Sequence, residues 1–243
     1  MTRNYKLFLV GRTSNGKSST GNSILSSKPF SLNSEEIVVK SGKANQYDVT
    51  LVDGYGIGDS VKDLKGDMKR LIYNIEKVFN ENLNNCFSAL LLVIPLYVRY
   101  THQESESVRV VKSIFGQNVF EKCGIIVMTY GDMFPPPTRC TSFDTWCKEQ
   151  KGDIRKLLSE CNNRYVLFDN KTCDKNIQKV QVDKLMTEVI KINQEYNDRD
   201  FENASTQRNA LKGLDADNNS QSSEDVRRPL FEPGSYGDGS VLI

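Results

Sequence analysis

The residues best able to do chemistry in this 243-residue chain lie near its start: Gly11-Arg12-Thr13-Ser14-Asn15-Gly16-Lys17-Ser18, followed by Ser19. The spacing is G-x-x-x-x-G-K-[ST], and each part serves a phosphate group. The glycines let the backbone curl so that successive N–H groups point inward at phosphate oxygens. Lys17 brings a point charge to the terminal phosphates, and Ser18 a hydroxyl for Mg²⁺. An apolar run, Tyr5–Val10, precedes the turn, and a helical pattern from Ser18 to Leu25 follows it. That helix aims the positive end of its dipole at the same place. A chance match would not need to sit between a strand and a helix, where the mechanism requires it.

Two downstream carboxylates extend the site. Asp53 ends the apolar run in "VTLVDGYGIGD" and is placed to hold Mg²⁺ through water; Gly56 completes D-x-x-G, where the glycine N–H meets the terminal phosphate. Asp132 closes "GIIVMTYGD". Its carboxylate could accept hydrogen bonds from guanine N1–H and N2–H₂, a donor pattern that adenine lacks. The more usual form of that motif is N-K-x-D, where this chain has Thr129 and Tyr130. Tyr130 could stack on the base in place of a lysine stem. The competing reading of Asp132 is a turn aspartate after a strand.

These residues need a scaffold that brings strand ends together. Five near-continuous apolar segments read as buried parallel strands: Tyr5–Val10, Val49–Asp53, Ser88–Ile94, Gly124–Thr129 and Arg164–Phe168. Helical periodicity alternates with them. It runs through Val61, Leu64, Met68, Leu71, Ile75, Val78 and Phe79, then through Val108, Val111, Ile114 and Phe115 with Gly116 as a stop. Ile177, Val180, Leu185, Val189 and Ile192 mark a last helix. Residues 31–47 read as a loop and an edge strand. The expected fold class is α/β: a three-layer P-loop domain with a mostly parallel central sheet flanked by helices. The expected domain spans residues 1–197, and the polar segment 198–243 is expected to be a disordered tail.

Composition narrows the function classes. With 32 Lys and Arg against 31 Asp and Glu, no field of one sign argues for nucleic acid. No apolar run approaches the ~18 residues of a membrane span, and no signal peptide, myristoylation glycine or prenylation cysteine is visible. The expectation is a soluble, cytoplasmic chain without an intrinsic membrane anchor. The six cysteines lack C-x-x-C spacing and His102 is the single histidine, so a zinc site is a poor reading. His102 itself reads as a surface residue capping the helix that starts at Gln103, not as a base.

Together, "GRTSNGKSSTGNSIL", "VDGYGIGD", "VRYTHQESESVRVVKSIFG", "VMTYGD" and "RYVLFDN" resemble the AIG or GIMAP immune-associated GTPases over roughly residues 5–195. The resemblance implies a G domain binding GTP or GDP with Mg²⁺, and self-association as a homodimer or homo-oligomer in the GTP state, or with related family members. By matching positions it implies that Gly11–Ser19 line the phosphates, Tyr130, Gly131 and Asp132 the base, and Asn170 the far side of the base. It also implies an immune or stress role.

Several positions depart from the family pattern. D-T-P-G becomes Asp53-Gly54-Tyr55-Gly56, which loses a proline and gains flexibility. Ile57 stands where a glutamine could orient water. The first-switch threonine aligns with Val39, which cannot ligate a metal; F-x-S becomes Phe30-Ser31-Leu32, and F-N-N becomes Phe168-Asp169-Asn170. Binding is therefore expected to survive while intrinsic hydrolysis is slow. Arg99 matches an arginine of the family's box, and it is expected to act in trans as an arginine finger. Its bland alternative is an exposed arginine before a helix. The competing functions are a hydrolysis-deficient pseudo-GTPase scaffold and a P-loop ATPase or small-molecule kinase.

Overall fold

The computed structural model describes residues 3–31, 37–54, 56, 68–96, 100–134 and 142–212. Among the described residues, β1 (Asn4–Val10), β3 (Tyr47–Asp53), β5 (Ala89–Pro95), β6 (Gly124–Thr129) and β7 (Tyr165–Leu167) run parallel. Antiparallel β2 (Val38–Ala44) joins them at one edge, giving the order β2-β3-β1-β5-β6-β7. All five apolar runs in the sequence are these parallel strands. Leu7–Leu9, Leu90–Val93 and Ile125–Val127 are inaccessible to solvent, as expected of strands covered on both faces.

The helices are α1 (Lys17–Ile24), α2 (Met68–Glu81), α3 (His102–Phe115), α4 (Val119–Cys123), α5 (Phe143–Glu149), α6 (Gly152–Glu160), α7 (Lys175–Lys191) and α8 (Asp198–Asn203). A two-stranded ribbon pairs β4 (Cys86–Phe87) with β8 (Tyr196–Asn197). In α2, Leu71, Ile75, Val78 and Phe79 are buried as the predicted spacing requires, and Ile72 is buried with them; residues 61–67 lie outside the described residues. Gly116 ends α3 at φ 96°, and its N–H donates to the Lys112 carbonyl. The cap of that helix is Thr101 and not His102: the Thr101 side chain accepts from the Glu104 N–H, and Glu104 reaches back to the Thr101 N–H. His102 is exposed.

The expected disordered tail needs correction over residues 198–212; residues 213–243 lie outside the described residues. Asp198–Asn203 form α8 behind a capping box built by Asn197 and Asp200, and residues 205–212 are helical as well. Their anchors are sparse but well placed. Phe201 meets Phe79 at 4.5 Å and Phe115 at 6.2 Å between ring centroids, in a cluster with Phe87 and Tyr196. Arg208 lies over the Phe201 ring at 3.6 Å and donates to the Ile114 carbonyl at 2.9 Å. Lys212 pairs with Glu76 at 2.8 Å. Burial of one aromatic ring outweighs the polar character of the segment. Phe201→Ala accordingly costs about 3–5 kcal/mol in denaturant unfolding; a loss below about 1 kcal/mol would mean that α8 does not help hold the core.

Among the described residues no disulfide forms, and no cluster of His, Cys, Asp and Glu is suited to a metal ion. Cys123, Cys147 and Cys161 are buried, and burial pushes each thiol up to about 12, as inert packing residues require. No described helix is long and apolar enough to cross a membrane.

Candidate phosphate and base site

The sheet delivers the chemistry-bearing residues to one end. β1, β3, β5 and β6 all point their C-terminal ends the same way, so the turn after Val10, Asp53, and the loops after Pro95 and Thr129 converge there. Gly11 (φ 141°), Ser14 (φ 66°) and Gly16 (φ 94°) take left-handed or related backbone conformations, which curl the loop before α1. Gly16 occupies the N-cap position of α1 and no side chain caps the helix. The first N–H groups of α1 are thus left for a ligand.

Lys17 is buried, and its Nζ donates to the Arg12 carbonyl at 2.9 Å, folded back over the loop. Burial pulls its ammonium down to about 8, an effect that the nearby Asp53 charge partly offsets. Burial raises Asp53 in turn, against the hydrogen bond from Ser18 and the Lys17 charge. A polyanion at this place would relieve the cost of burying the lysine charge. Ser18 Oγ donates to Asp53 Oδ2 at 2.5 Å, whereas buried Asp53 Oδ1 has no hydrogen-bond partner among the described residues. An orphaned carboxylate oxygen beside a hydroxyl fits a hydrated divalent cation, with Ser18 as ligand and Asp53 holding it through water.

Gly56 closes the cradle. A Cβ there would come within 2.6 Å of Thr13 Oγ1 and 3.0 Å of Lys17 Nζ, so any side chain would occupy the space beside the ammonium. Tyr55 and Ile57 lie outside the described residues. Val39 sits inside β2, paired with Val52, so it supplies a strand contact and no oxygen ligand.

The base side is built by β6 and the loop after β7. Thr129, where N-K-x-D would have asparagine, is buried, and its Oγ1 donates to the Asn15 carbonyl at 2.9 Å. Asn15 Nδ2 donates to the Val93 carbonyl at 3.0 Å. These bonds tie the end of β6 to the phosphate loop, fixing the distance between its two halves. Tyr130 is left-handed (φ 62°) and starts the short turn Gly131–Met133 that carries Asp132. The Gly131 N–H donates to the Phe168 carbonyl at 2.9 Å, and a Cβ on Gly131 would lie 2.9 Å from the Asp169 nitrogen, so only glycine allows the two loops to meet.

Asn170, expected beside the base, is committed to α1. Its Nδ2 donates to Thr20 Oγ1 at 3.0 Å, and its Oδ1 accepts from Ser23 at 2.8 Å. It braces the phosphate-loop helix against the base loop. Asp169 accepts the Lys171 and Thr172 N–H groups at 2.9 and 3.0 Å, which accounts for an aspartate in the middle of that tripeptide. Arg99 lies outside the described residues.

Two participants were not anticipated from sequence. Lys171 Nζ bonds Asp132 Oδ2 at 3.0 Å and lies 5.6 Å from the Tyr130 ring centroid. It brings a cation to the ring of Tyr130, the residue that stands at the lysine position of N-K-x-D. The sequence signal was its position directly after Asn170. Glu104 pairs with Arg12 of the phosphate loop at 2.9 Å. It lies 92 residues from Arg12, and nothing local announces the pairing.

A solved structure of Toc33 from Arabidopsis thaliana in complex with Mg²⁺ and GMPPNP is 16% identical, covers 81% of this chain and 88% of that one, and has a TM-score of 0.59. A second, of the chloroplast translocon components atToc33 and psToc159, is described as showing that dimerization is important for their GTPase activity; it is 16% identical, covers 81% and 87%, and has a TM-score of 0.56. At such identities the likeness establishes the fold, that of a P-loop GTPase domain. Immune-associated nucleotide-binding protein 10 of Arabidopsis thaliana is 30% identical over 198 residues, 78% of this chain and 41% of that protein. The match spans 41%, 58% and 57% of the length of immune-associated nucleotide-binding proteins 10, 7 and 9 of Arabidopsis thaliana. The model of the AIG1 family matches residues 5–219, and with its phosphate loop, its D-x-x-G and its P-loop GTPase sheet the chain belongs to that family.

Proposed function

We propose that the protein binds GTP and GDP with Mg²⁺ and works as a slowly hydrolysing, nucleotide-controlled switch that self-associates. The observation that carries this reading is the placement of Asp132. Its carboxylate stands at the end of β6, which Thr129 ties to the phosphate loop at 2.9 Å. A phosphate cradle with a double hydrogen-bond acceptor at the neighbouring strand end suits guanine. Bound Mg²⁺ would supply positive charge to the phosphate oxygens. Lys17 and the α1 N-terminus hold the phosphates, Ser18 and Asp53 hold the cation, and Asp132 selects the base. The direct check is competition: GTP displaces a fluorescent guanine nucleotide and ATP does not. Equal displacement by ATP would favour the ATPase or kinase reading and remove Asp132 from its role.

Slow turnover is supported by Ile57 after Gly56 and by Val39 in β2. Arg99 completes the site from a second copy in the GTP state, and the described dependence of Toc33 and Toc159 activity on dimerization is a parallel. Arg99→Ala then lowers turnover by about 10³-fold at protein concentrations that support dimers and leaves GDP affinity unchanged. Unchanged turnover under those conditions would reject the finger. The scaffold reading is favoured by the same two positions, Val39 and Ile57, and phosphate release in single turnover separates it: none over hours with Mg²⁺ makes the protein a holder of nucleotide. Partners are a second copy or a related family member, and the naming of the relatives supports an immune or stress role.

A further inference from the structure

The buried acids among the described residues are Asp53 and Glu104. Asp53 has its place beside the phosphate loop. Glu104, in the first turn of α3, lies outside the phosphate and base contacts but is wired to them. Its Oε1 accepts from Arg12 Nη1 at 2.9 Å, with side-chain exposures of 13% for Arg12 and 4% for Glu104. Its Oε2 accepts from the Thr101 N–H at 3.2 Å and from the Thr101 hydroxyl. A helix cap needs only one of these oxygens; the other reaches across to the phosphate loop.

Arg12 is held at its other end too. Its carbonyl accepts from Lys17 Nζ at 2.9 Å. A phosphate filling the loop would share the three N–H donors of Lys17 with the Arg12 carbonyl, which couples occupancy of the loop to the backbone of Arg12. The Arg12 side chain is stiffly coupled to α3, because opening a buried ion pair leaves a desolvated charge without compensation. Space exists beside the pair: a cavity of about 400 Å³ has Glu104 in its lining, with Leu96, Tyr100, Trp146 and Ile154.

We propose that the Arg12–Glu104 pair is the link through which phosphate occupancy sets the position of the first turn of α3 and of the chain entering it. Glu104 is a positioning residue in this scheme, acting through Arg12 and Thr101. The inference rests on the nucleotide-binding reading. It goes beyond it by naming a route from the bound phosphates to a surface outside the site. The chain entering α3 is where Tyr100 and Thr101 lie, so a shift there would change what that face presents to a partner.

The test is amide hydrogen exchange of residues 101–106 in the full chain, without nucleotide, with GDP and Mg²⁺, and with GMPPNP and Mg²⁺. In the native protein nucleotide slows exchange in this turn by about tenfold, the effect of a local opening made harder. Glu104→Gln keeps the size and a cap acceptor but removes the charge. In that variant the nucleotide-dependent change falls to less than about twofold while the nucleotide still binds. Arg12→Met gives the same loss, and the double variant is no worse than either single one, since both break one pair. A nucleotide-dependent change of native size in Glu104→Gln, or additive losses in the double variant, would overturn the link. Should Arg12→Met fail to fold or bind, Glu104→Gln decides alone, with Glu104→Ala and Thr101→Val as further ways to break the chain at that end. Failure of the native protein to bind either guanine nucleotide would sink the functional reading, an outcome distinct from normal binding without a response in α3.

Discussion

Lys17→Ala abolishes nucleotide binding in the micromolar range and leaves the fold intact. Lys17 is the lysine of the G-x-x-x-x-G-K-S loop, next to the space beside Gly56. Charge-assisted hydrogen bonds contribute about 1.5–3 kcal/mol each, and one lysine serving two phosphates contributes about 3–6 kcal/mol, a factor of about 10²–10⁴ in affinity. The effect on the empty protein is far smaller. The ammonium is already penalised by burial, and it is compensated by one carbonyl and the nearby Asp53 charge. Removing it relieves that penalty and withdraws a counter-charge from Asp53, two changes of opposite sign. Calorimetric titration with GDP and Mg²⁺ measures the first quantity, and thermal unfolding without nucleotide measures the second. The outcome that counts against the cradle is a variant that folds normally and still gains thermal stability from GDP to the native extent.

Asp132→Asn moves the base preference from guanine toward xanthine. The carboxylate has two acceptor oxygens, and guanine offers N1–H and N2–H₂ to them. An asparagine keeps one acceptor and turns the other atom into a donor, which faces the guanine amino group as donor against donor. Xanthine carries a carbonyl oxygen in place of that amino group, so the amide donor finds a partner. Losing one charge-assisted bond and leaving a donor unpaired costs about 3–5 kcal/mol, so GTP weakens by about 10²–10⁴-fold. XTP binds the variant better than GTP does. Asp132 in the empty protein is paired with Lys171 at 3.0 Å, an exposed pair of little worth to stability, so the substitution leaves the fold unharmed. A competition series with GTP, XTP and ATP decides the matter. If GTP keeps its native affinity in the variant, Asp132 is a turn aspartate and the base lies elsewhere.

The central sheet was readable because strands buried on both faces must be apolar along their whole length, and Leu7–Val10, Leu90–Ile94 and Ile125–Met128 leave no polar interruption. Helix α3 was readable because Val108, Val111, Ile114 and Phe115 keep a clean period that Gly116 stops, whereas its cap at Thr101 was not. Helices α5 and α6 were missed: they are short, and α5 buries only Cys147 while α6 buries only Leu157 and Leu158. The segment 198–212 was misjudged for a related cause. Phe201 and Arg208 look like isolated residues in a polar stretch until Phe79, Phe115 and the Ile114 carbonyl supply a seat for them.

In the candidate site the division follows the range of the interactions. The phosphate loop is a local backbone device, a curl between a strand and a helix, so eight consecutive residues specify it and no distant partner is needed. Asp53, Gly56 and Asp132 stand at strand ends, and parallel strands gather their ends on one side of a sheet, so their convergence was implied by the pattern of runs. The tertiary structure alone settled which side chains hold the halves together: Thr129 to Asn15, Asn170 to Thr20 and Ser23, Lys171 to Asp132, and Arg12 to Glu104. These partners are 39 to 150 residues apart, and their pairing depends on distances and burial that arise only when the chain is packed. Local backbone preference and apolar periodicity are written along the chain; long-range polar pairing is a property of the assembled sheet.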